Sequence, residues 1–375
     1  MRQWGYFLFF ASFFCLYFTA GMYVSWRLCA GLDIAAPYRH IIFSFCGFMS
    51  AASTAAYVSS EYGIVRLAAY LNRACGIWMG FLGIASSVLF VNDLLNLSGI
   101  FENGKFGYYS ALFSLALITA LCLWSLINAG FILKVKEIKI KVPQLKTGKL
   151  RIVCLADVHI DKQTSYGSIK KIVKAVNAVK PDMIAIAGDL IDTDISGTFR
   201  GYGLDKLYAP YGIYAVAGNH EYYAGIENYV KLCGRLGIKL LNNENLPVLN
   251  EKGENIIFVA GVNDRQSRHF KAGGIDIEAA FSGIGKNAPV LFLSHRPEEF
   301  DKVKDREMSV MQLSGHTHCG QIPPVEIIRK FMKYNYGLYE YKNSKMYVTS
   351  GCRWWRVPMR TFNKCEIAHI VLERE

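Results

Sequence analysis

The chain has 375 residues, 52% of them hydrophobic and 19% charged, with 42 Lys+Arg against 30 Asp+Glu and a formal net charge of +12. That composition excludes a disordered protein, which needs low hydrophobicity and high charge. The length suits about two domains, and the apolar residues are concentrated at the N-terminal end.

Residues 1–133 carry four long apolar runs, at Trp4–Trp26, 41–60, 75–97 and 108–133. Each reaches the roughly 18–20 residues a helix needs to cross about 30 Å of hydrocarbon. Their only charged interior residue is Asp93, near the end of the third run. Helices apolar on every side are either deeply buried or in a membrane. This stretch has too little polar sequence to cover four of them in water, so a bundle of four transmembrane helices is expected over 1–133. The first run follows Arg2 and contains Thr19-Ala20-Gly21; it is longer than a signal-peptide core and reads as an uncleaved anchor. Within the bundle, Asn92 and Asp93 are the one strongly polar pair, and Gly76-x-x-x-Gly80 is a packing motif at most.

Orientation follows from Lys and Arg in the short flanks. With a cytoplasmic N-terminus, the inner flanks hold Arg2, Arg66, Arg73 and the run Lys134, Lys136, Lys139, Lys141, Lys146, Lys149, Arg151, whereas the outer flanks hold Arg27, Arg39 and Lys105. The balance places residues 134–375 in the cytoplasm. Several of those lysines alternate with Val135, Ile138, Ile140 and Val142, a strand pattern in which lysine solvates a sheet face. Residues 134–375 carry +10 of the net charge, which suits anionic lipid headgroups. No nucleic-acid-binding module or arginine stripe is present, and no nucleic-acid partner is expected. The ten cysteines form no CxxC pair, so a reducing compartment fits better than a disulfide framework.

From residue 134 short β-branched runs alternate with amphipathic stretches. Leu150–Ala156, Met183–Ala187, Ile213–Ala217, Ile256–Ala260, Val290–Leu293 and Ser309–Leu313 read as buried strands. Helices are expected at Tyr166–Val179, closed by Pro181, at Tyr223–Leu236 and at Ile275–Phe281, with further strands at Met346–Ser350 and Glu366–Leu372. This is an α/β domain, with its ligand site beyond the strand C-termini.

Metal-binding residue types stand at those strand ends: Asp157 and His159; Gly188 and Asp189; Gly218, Asn219, His220 and Glu221; Ser294 and His295; Gly315, His316, Thr317 and His318. Five of the eight histidines lie there. Each fragment alone occurs by accident as a turn or a helix cap; five in order, each at a strand mouth, do not. Two divalent metals about 3.5–4 Å apart need ligands on convergent loops and an anionic bridge. Mixed oxygen and imidazole donors suit Mn, Fe or Zn.

The series Asp157-x-His159, Gly188-Asp189, Gly218-Asn219-His220-Glu221, His295 and Gly315-His316-Thr317-His318 resembles the calcineurin-like metallophosphoesterase superfamily over 134–375. The resemblance implies a β-sandwich of two mixed sheets flanked by helices. It implies one metal on Asp157, His159, Asp189 and His318, and a second on Asp189 (bridging), Asn219, His295 and His316. It further implies a metal-bound hydroxide attacking phosphorus in line, while His220 contacts the phosphate and protonates the leaving oxygen. Ser294-His295-Arg296-Pro297, Ser314–Gln321 and Ser350-Gly351…Pro358-x-Arg360 are similar to bacterial membrane-associated phosphohydrolases, some of which cleave the pyrophosphate of UDP-2,3-diacylglucosamine. Cys319 stands where that group has Gly, and Cys365 where it often has Pro; neither is a ligand position.

The expectation is therefore a multi-pass, dinuclear-metal phosphohydrolase of a bacterial plasma membrane, acting on a phosphoester or pyrophosphate of a lipid-linked substrate such as UDP-diacylglucosamine. Arg296 and Arg360 are candidates for a second phosphate or a carboxylate, since Arg pairs bidentately. Ile327–Tyr341 and Arg353-Trp354-Trp355-Arg356 interleave basic and aromatic residues as interfacial surfaces do. The alternatives are a tethered phosphodiesterase for soluble nucleotides, favoured if activity survives loss of 1–133, and a catalytically silent membrane sensor, disfavoured by the intact ligand set.

Overall fold

The computed structural model describes residues 2–61, 67–97, 104–142 and 144–374; Arg66, counted above as an inner flank, lies outside them. The chain forms two compact units. One comprises Met1–Ile132 with Gly320–Ile328 and Arg356–Asn363; the other comprises Leu133–Cys319, Arg329–Trp355 and Lys364–Glu375.

The first unit contains helices α1 (Arg2–Gly31), α2 (Ala36–Glu61), α3 (Leu67–Leu97) and α4 (Gly104–Phe131). Two of the four, over Leu71–Leu97 and Gly107–Phe131, are long and apolar enough among the described residues to cross a membrane. The expectation of four spanning helices goes beyond these two. Asp93 is paired within the unit, accepting a hydrogen bond from the Tyr23 hydroxyl at 2.7 Å and forming an ion pair with Arg27.

Two segments distant in sequence complete this unit, and glycines admit them to α3. A Cβ on Gly76 would lie 2.5 Å from the Arg356 carbonyl oxygen, and one on Gly83 2.6 Å from that of Pro323. At Gly80 it would strike the Met359 sulfur. Asn128 on α4 donates to the carbonyls of Arg360 and Asn363 at 2.9 and 3.1 Å, and Trp124 donates to that of Thr361 at 2.8 Å. Buried Glu326 accepts from the Phe362 and Asn363 amides at 3.2 and 3.0 Å. Irregular backbone beside apolar helices needs such partners, because unmet N–H and C=O groups are costly there. The Gly76–Gly80 spacing therefore serves loop-on-helix packing.

The second unit holds two six-stranded mixed sheets. In the first, the order is β1 (Leu133–Lys141), β12 (Cys365–Glu373), β2 (Lys149–Leu155), β3 (Met183–Ala187), β4 (Ile213–Val216), β5 (Lys239–Leu240). In the second, it is β10 (Gly337–Tyr341), β11 (Ser344–Val348), β9 (Ser309–Ser314), β8 (Pro289–Leu293), β7 (Asn255–Gly261), β6 (Glu244–Leu249). Strand alternation divides the core. Ile152, Cys154, Met183 and Ala185 meet Leu291, Leu293, Met311 and Leu313 between the sheets. Val153, Leu155, Ile184 and Ile186 face outward onto Ile169, Ile172, Val173 and Val176 of α5 (Tyr166–Val179). Ser165 caps α5, accepting from the Ser168 amide, and Lys180 ends it at φ 51° before Pro181.

The helix expected at Tyr223–Leu236 is instead two, Asn219–Tyr223 and Ile226–Leu236, broken at Gly225 with φ 91°. The lysines after α4 lie on β1, an edge strand whose Ile138 and Ile140 are buried. Charged side chains along an edge discourage pairing with other chains. Lys134, Lys136, Lys139 and Lys141 thus have a structural reason to be there, which weakens the orientation read from them.

Candidate metal centre

Parallel neighbours β2, β3 and β4 of one sheet and β8 and β9 of the other end on the same loops that carry the ligand-type residues. The loops are tied together by backbone: the Val158 and His159 amides donate to the Asp189 carbonyl at 2.9 and 3.0 Å, and the Gly315 amide donates to the His295 carbonyl at 3.0 Å. Asp157, His159, Asp189, His316 and His318 all have positive φ, between 48° and 69°. Such conformations cost about 1 kcal/mol or more each and persist where surrounding structure imposes them. Asp and His are among the side chains that tolerate them.

The donors converge. Asp157, His159 and His318 form one group whose ligand atoms lie within 4.8 Å of one another, and Asp189, His295 and His316 form a second. Asp189 Oδ2 lies 3.1 Å from His295 Nε2 and 3.8 Å from His159 Nε2, so it reaches both groups. His295 Nδ1 donates to the Ala187 carbonyl at 2.9 Å, which turns Nε2 toward Asp189 and His316. The Asn219 side-chain oxygen is buried with no hydrogen-bond partner among the described residues, an arrangement that is costly unless a cation or ligand satisfies it. Glycine is required alongside. A Cβ on Gly315 would sit 2.6 Å from Asp157 Oδ2, one on Gly188 2.6 Å from His295 Nδ1, and one on Gly218 would collide with Asp189 Oδ1. The donor chemistry, the unmet Asn219 oxygen and the missing side chains all fit divalent metal.

Charge crowding shapes the ionisation. Burial works to raise Asp189, but His295 and His220 hold it well below the usual carboxylate range. Burial pushes Asp157 up, opposed by His295. Against the downward pull of burial, Asp189 and Asp192 push His220 up to about 9, while burial and the neighbouring His295 and Arg296 press His316 down to about 2.

The structure also gives supporting roles to residues that were not candidates for ligation, and brings in Asp192, which lies outside the blocks. Asp192, three positions past Asp189, accepts from His159 Nδ1 at 2.7 Å and from His220 Nδ1 at 3.0 Å. It thereby turns both Nε2 atoms outward, as carboxylates behind metal-bound histidines do. Glu221 is fully buried and takes four backbone N–H bonds: Asp189 and Gly218 on one oxygen at 2.9 and 2.7 Å, Leu190 and Ile191 on the other at 2.7 and 3.0 Å. Burial and Asp189 push its pKa up to about 7; with both oxygens already accepting twice, the geometry serves the ionised form. Arg353 donates to the carbonyls of Val158 and His159 at 3.1 and 3.0 Å. Trp355, of the same basic-aromatic stretch, has its ring 5.2 Å from that of His220.

Of the two arginines proposed for substrate, Arg296 is at the site. Asp264 accepts from its Nε at 2.7 Å, and its Nη1 lies 2.8 Å from His316 Nε2. Arg360 belongs to the other unit, fully buried, where its amide donates to the Ser125 carbonyl at 3.0 Å. Cys319 has φ 52°, the backbone conformation that glycine adopts most cheaply, which accounts for the Gly found at that position in the group it resembles.

Residues 150–320 match the family model for calcineurin-like phosphoesterases. The chain is 32% identical over 272 residues to a zebrafish (Danio rerio) transmembrane protein with metallophosphoesterase domain, a match covering 70% of this chain and 62% of that one. It is 33% identical over 242 residues to an uncharacterized metallophosphoesterase of Helicobacter pylori, covering 64% of each. A third relative, a transmembrane protein with metallophosphoesterase domain from Bos taurus, is 30% identical over 268 residues, 68% of this chain and 60% of that one. The chain thus spans a little over three fifths of the length of these relatives. Vertebrate and bacterial proteins both appear among them, so the likeness does not single out the bacterial diacylglucosamine type. Two apolar helices and relatives described as transmembrane proteins associate the chain with a membrane. Residues 150–320 thus carry a calcineurin-like phosphoesterase domain, shared with relatives named for a metallophosphoesterase.

Proposed function

We propose that this chain is a membrane-attached phosphohydrolase that uses two divalent metal ions to hydrolyse a phosphoester or pyrophosphate. The observation that carries the reading is Asp189, whose Oδ2 reaches the His159 group on one side and the His295 group on the other. Asp157, His159 and His318 would hold one ion, Asn219, His295 and His316 the other, and Asp189 both. When bound, such a pair activates water and neutralises charge on the phosphoryl oxygens. Asp192 holds His220 by Nδ1 and keeps it protonated, so Nε2 can give its proton to the departing oxygen. Arg296, steadied by Asp264, supplies a guanidinium to a phosphate oxygen. The apolar helices in the same chain favour a lipid-linked substrate.

Metal analysis of the purified Asp189→Asn protein tests the centre. The variant is expected to lose at least one ion per chain and at least about a thousandfold of the activity found in a Mn²⁺ screen of nucleotide, sugar-nucleotide and lipid phosphates. Full metal content with full activity would refute the assignment.

A further inference from the structure

Two aromatic rings from separate segments meet His220, and a third extends the row from one of them. Trp355 follows β11 and meets the His220 ring edge-on, with centroids 5.2 Å apart at 74°. Tyr223 ends the helix that begins at Asn219 and also meets the His220 ring edge-on, at 5.4 Å and 77°. Phe270, beyond β7, extends the row, 6.1 Å from Tyr223. Tyr223 is 55% exposed and Phe270 50% exposed, so large apolar faces are left in water next to a histidine that the reading above gives a proton-transfer role.

We propose that Trp355, Tyr223 and Phe270 form a wall that receives a planar aromatic ring, such as a nucleobase, carried by the leaving group of the substrate. This rests on the phosphohydrolase reading, because His220 makes this side of the site the leaving-group side. The ring–ring contacts are edge-to-face or tilted, geometries that aromatic pairs favour, and about half of the Tyr223 and Phe270 surface stays exposed for a further ring. Stacking on such faces tolerates any base, since every base offers a π-face. The position also accounts for the aromatic pair Trp354-Trp355 without a lipid interface, because Trp355 points its ring at His220 and at His159, 6.3 Å away.

The test uses the full chain in detergent with Mn²⁺. Binding of the non-hydrolysable methylenephosphonate analogues of adenosine 5′-phosphate and ribose 5-phosphate is measured by calorimetry; the pair differs only in the base. The adenosine analogue is expected to bind about tenfold more tightly or better, as base–aromatic stacking allows. In Trp355→Leu, Tyr223→Leu and Phe270→Leu that ratio should fall below about threefold while the ribose analogue binds as before. Equal binding of the two analogues by the unaltered chain overturns the wall, as does a ratio untouched by all three substitutions. So does tighter binding of octyl phosphonate that the same substitutions abolish, which would make the wall a surface for an alkyl chain. Hydrolysis of the parent phosphates, compared between the unaltered chain and Asp189→Asn, is read separately. Its absence counts against the phosphohydrolase reading, whereas its presence with equal analogue binding counts against the wall alone.

Discussion

Replacing Glu221 by Gln removes no ligand candidate, yet it should loosen the whole centre. The carboxylate takes two N–H bonds on each oxygen, joining the Asp189 loop to the Gly218 loop. Gln puts an NH₂ where one oxygen stood, so two bonds are lost and two N–H donors face another donor in a fully buried place. Hydrogen bonds to a charged group contribute about 1.5–3 kcal/mol each, so the loss is about 4 kcal/mol after some relaxation. For a folded unit of this size each kcal/mol moves the unfolding midpoint by about 2–4 °C, which gives a fall of about 10 °C. Thermal unfolding of the full chain in detergent at pH 8 reads this directly, with exposed Glu227→Gln as the control, expected within about 1 °C. Metal titration should also show affinity lower by about 10–100-fold, the usual effect of losing a group that orients ligands. An unfolding midpoint within 2 °C of the unaltered chain, with unchanged metal binding, would show that the four bonds do not hold these loops.

Asp192→Asn should lower metal affinity by about 10–100-fold through His159. Because His220 loses the carboxylate that helps to raise its pKa, the alkaline limb of the pH–rate profile should move to lower pH; an unmoved limb would remove Asp192 from proton transfer. Gly83→Ala should destabilise the helical unit by about 1–3 kcal/mol, since its Cβ would lie 2.6 Å from the Pro323 carbonyl oxygen. Gly130→Ala, with nothing within 4 Å of the new Cβ, should be neutral or stabilising by up to about 1 kcal/mol. Equal unfolding midpoints for these two variants in detergent would deny the packing of 320–328 on α3.

Much of the catalytic unit was legible because its signals are local. Met183–Ala187 is a run of β-branched and small residues buried on both faces, and it forms a strand with those bounds. Tyr166–Val179 shows apolar residues at helical spacing with Ser165 before and Pro181 after, and the helix has those limits. The five blocks at strand ends were visible because metal chemistry restricts residue type and the strand restricts position. Strands β5, β6 and β10 were missed: they are short or edge strands whose exposed positions leave no alternation.

What the sequence by itself determined is an apolar stretch followed by a polar one that carries the ligand-type residues, since hydrophobic burial and metal coordination each demand particular side chains; that 320–328 and 356–363 join the helical unit is decided by the fold. Only the tertiary structure decided what those residues do for one another. Asp192 is an ordinary acid in the sequence and Glu221 only the last residue of a block; both become supports because loops from different strands bring imidazole and amide donors to them. Arg296 and Arg360 look alike as candidates, yet one stands beside His316 and the other is buried among carbonyls of the helical unit. Trp355 reads as part of an interfacial stretch, and only the fold places its ring beside His220. Hydrogen bonds and ring contacts between residues far apart in the chain depend on where the backbone returns, and no local spacing encodes that.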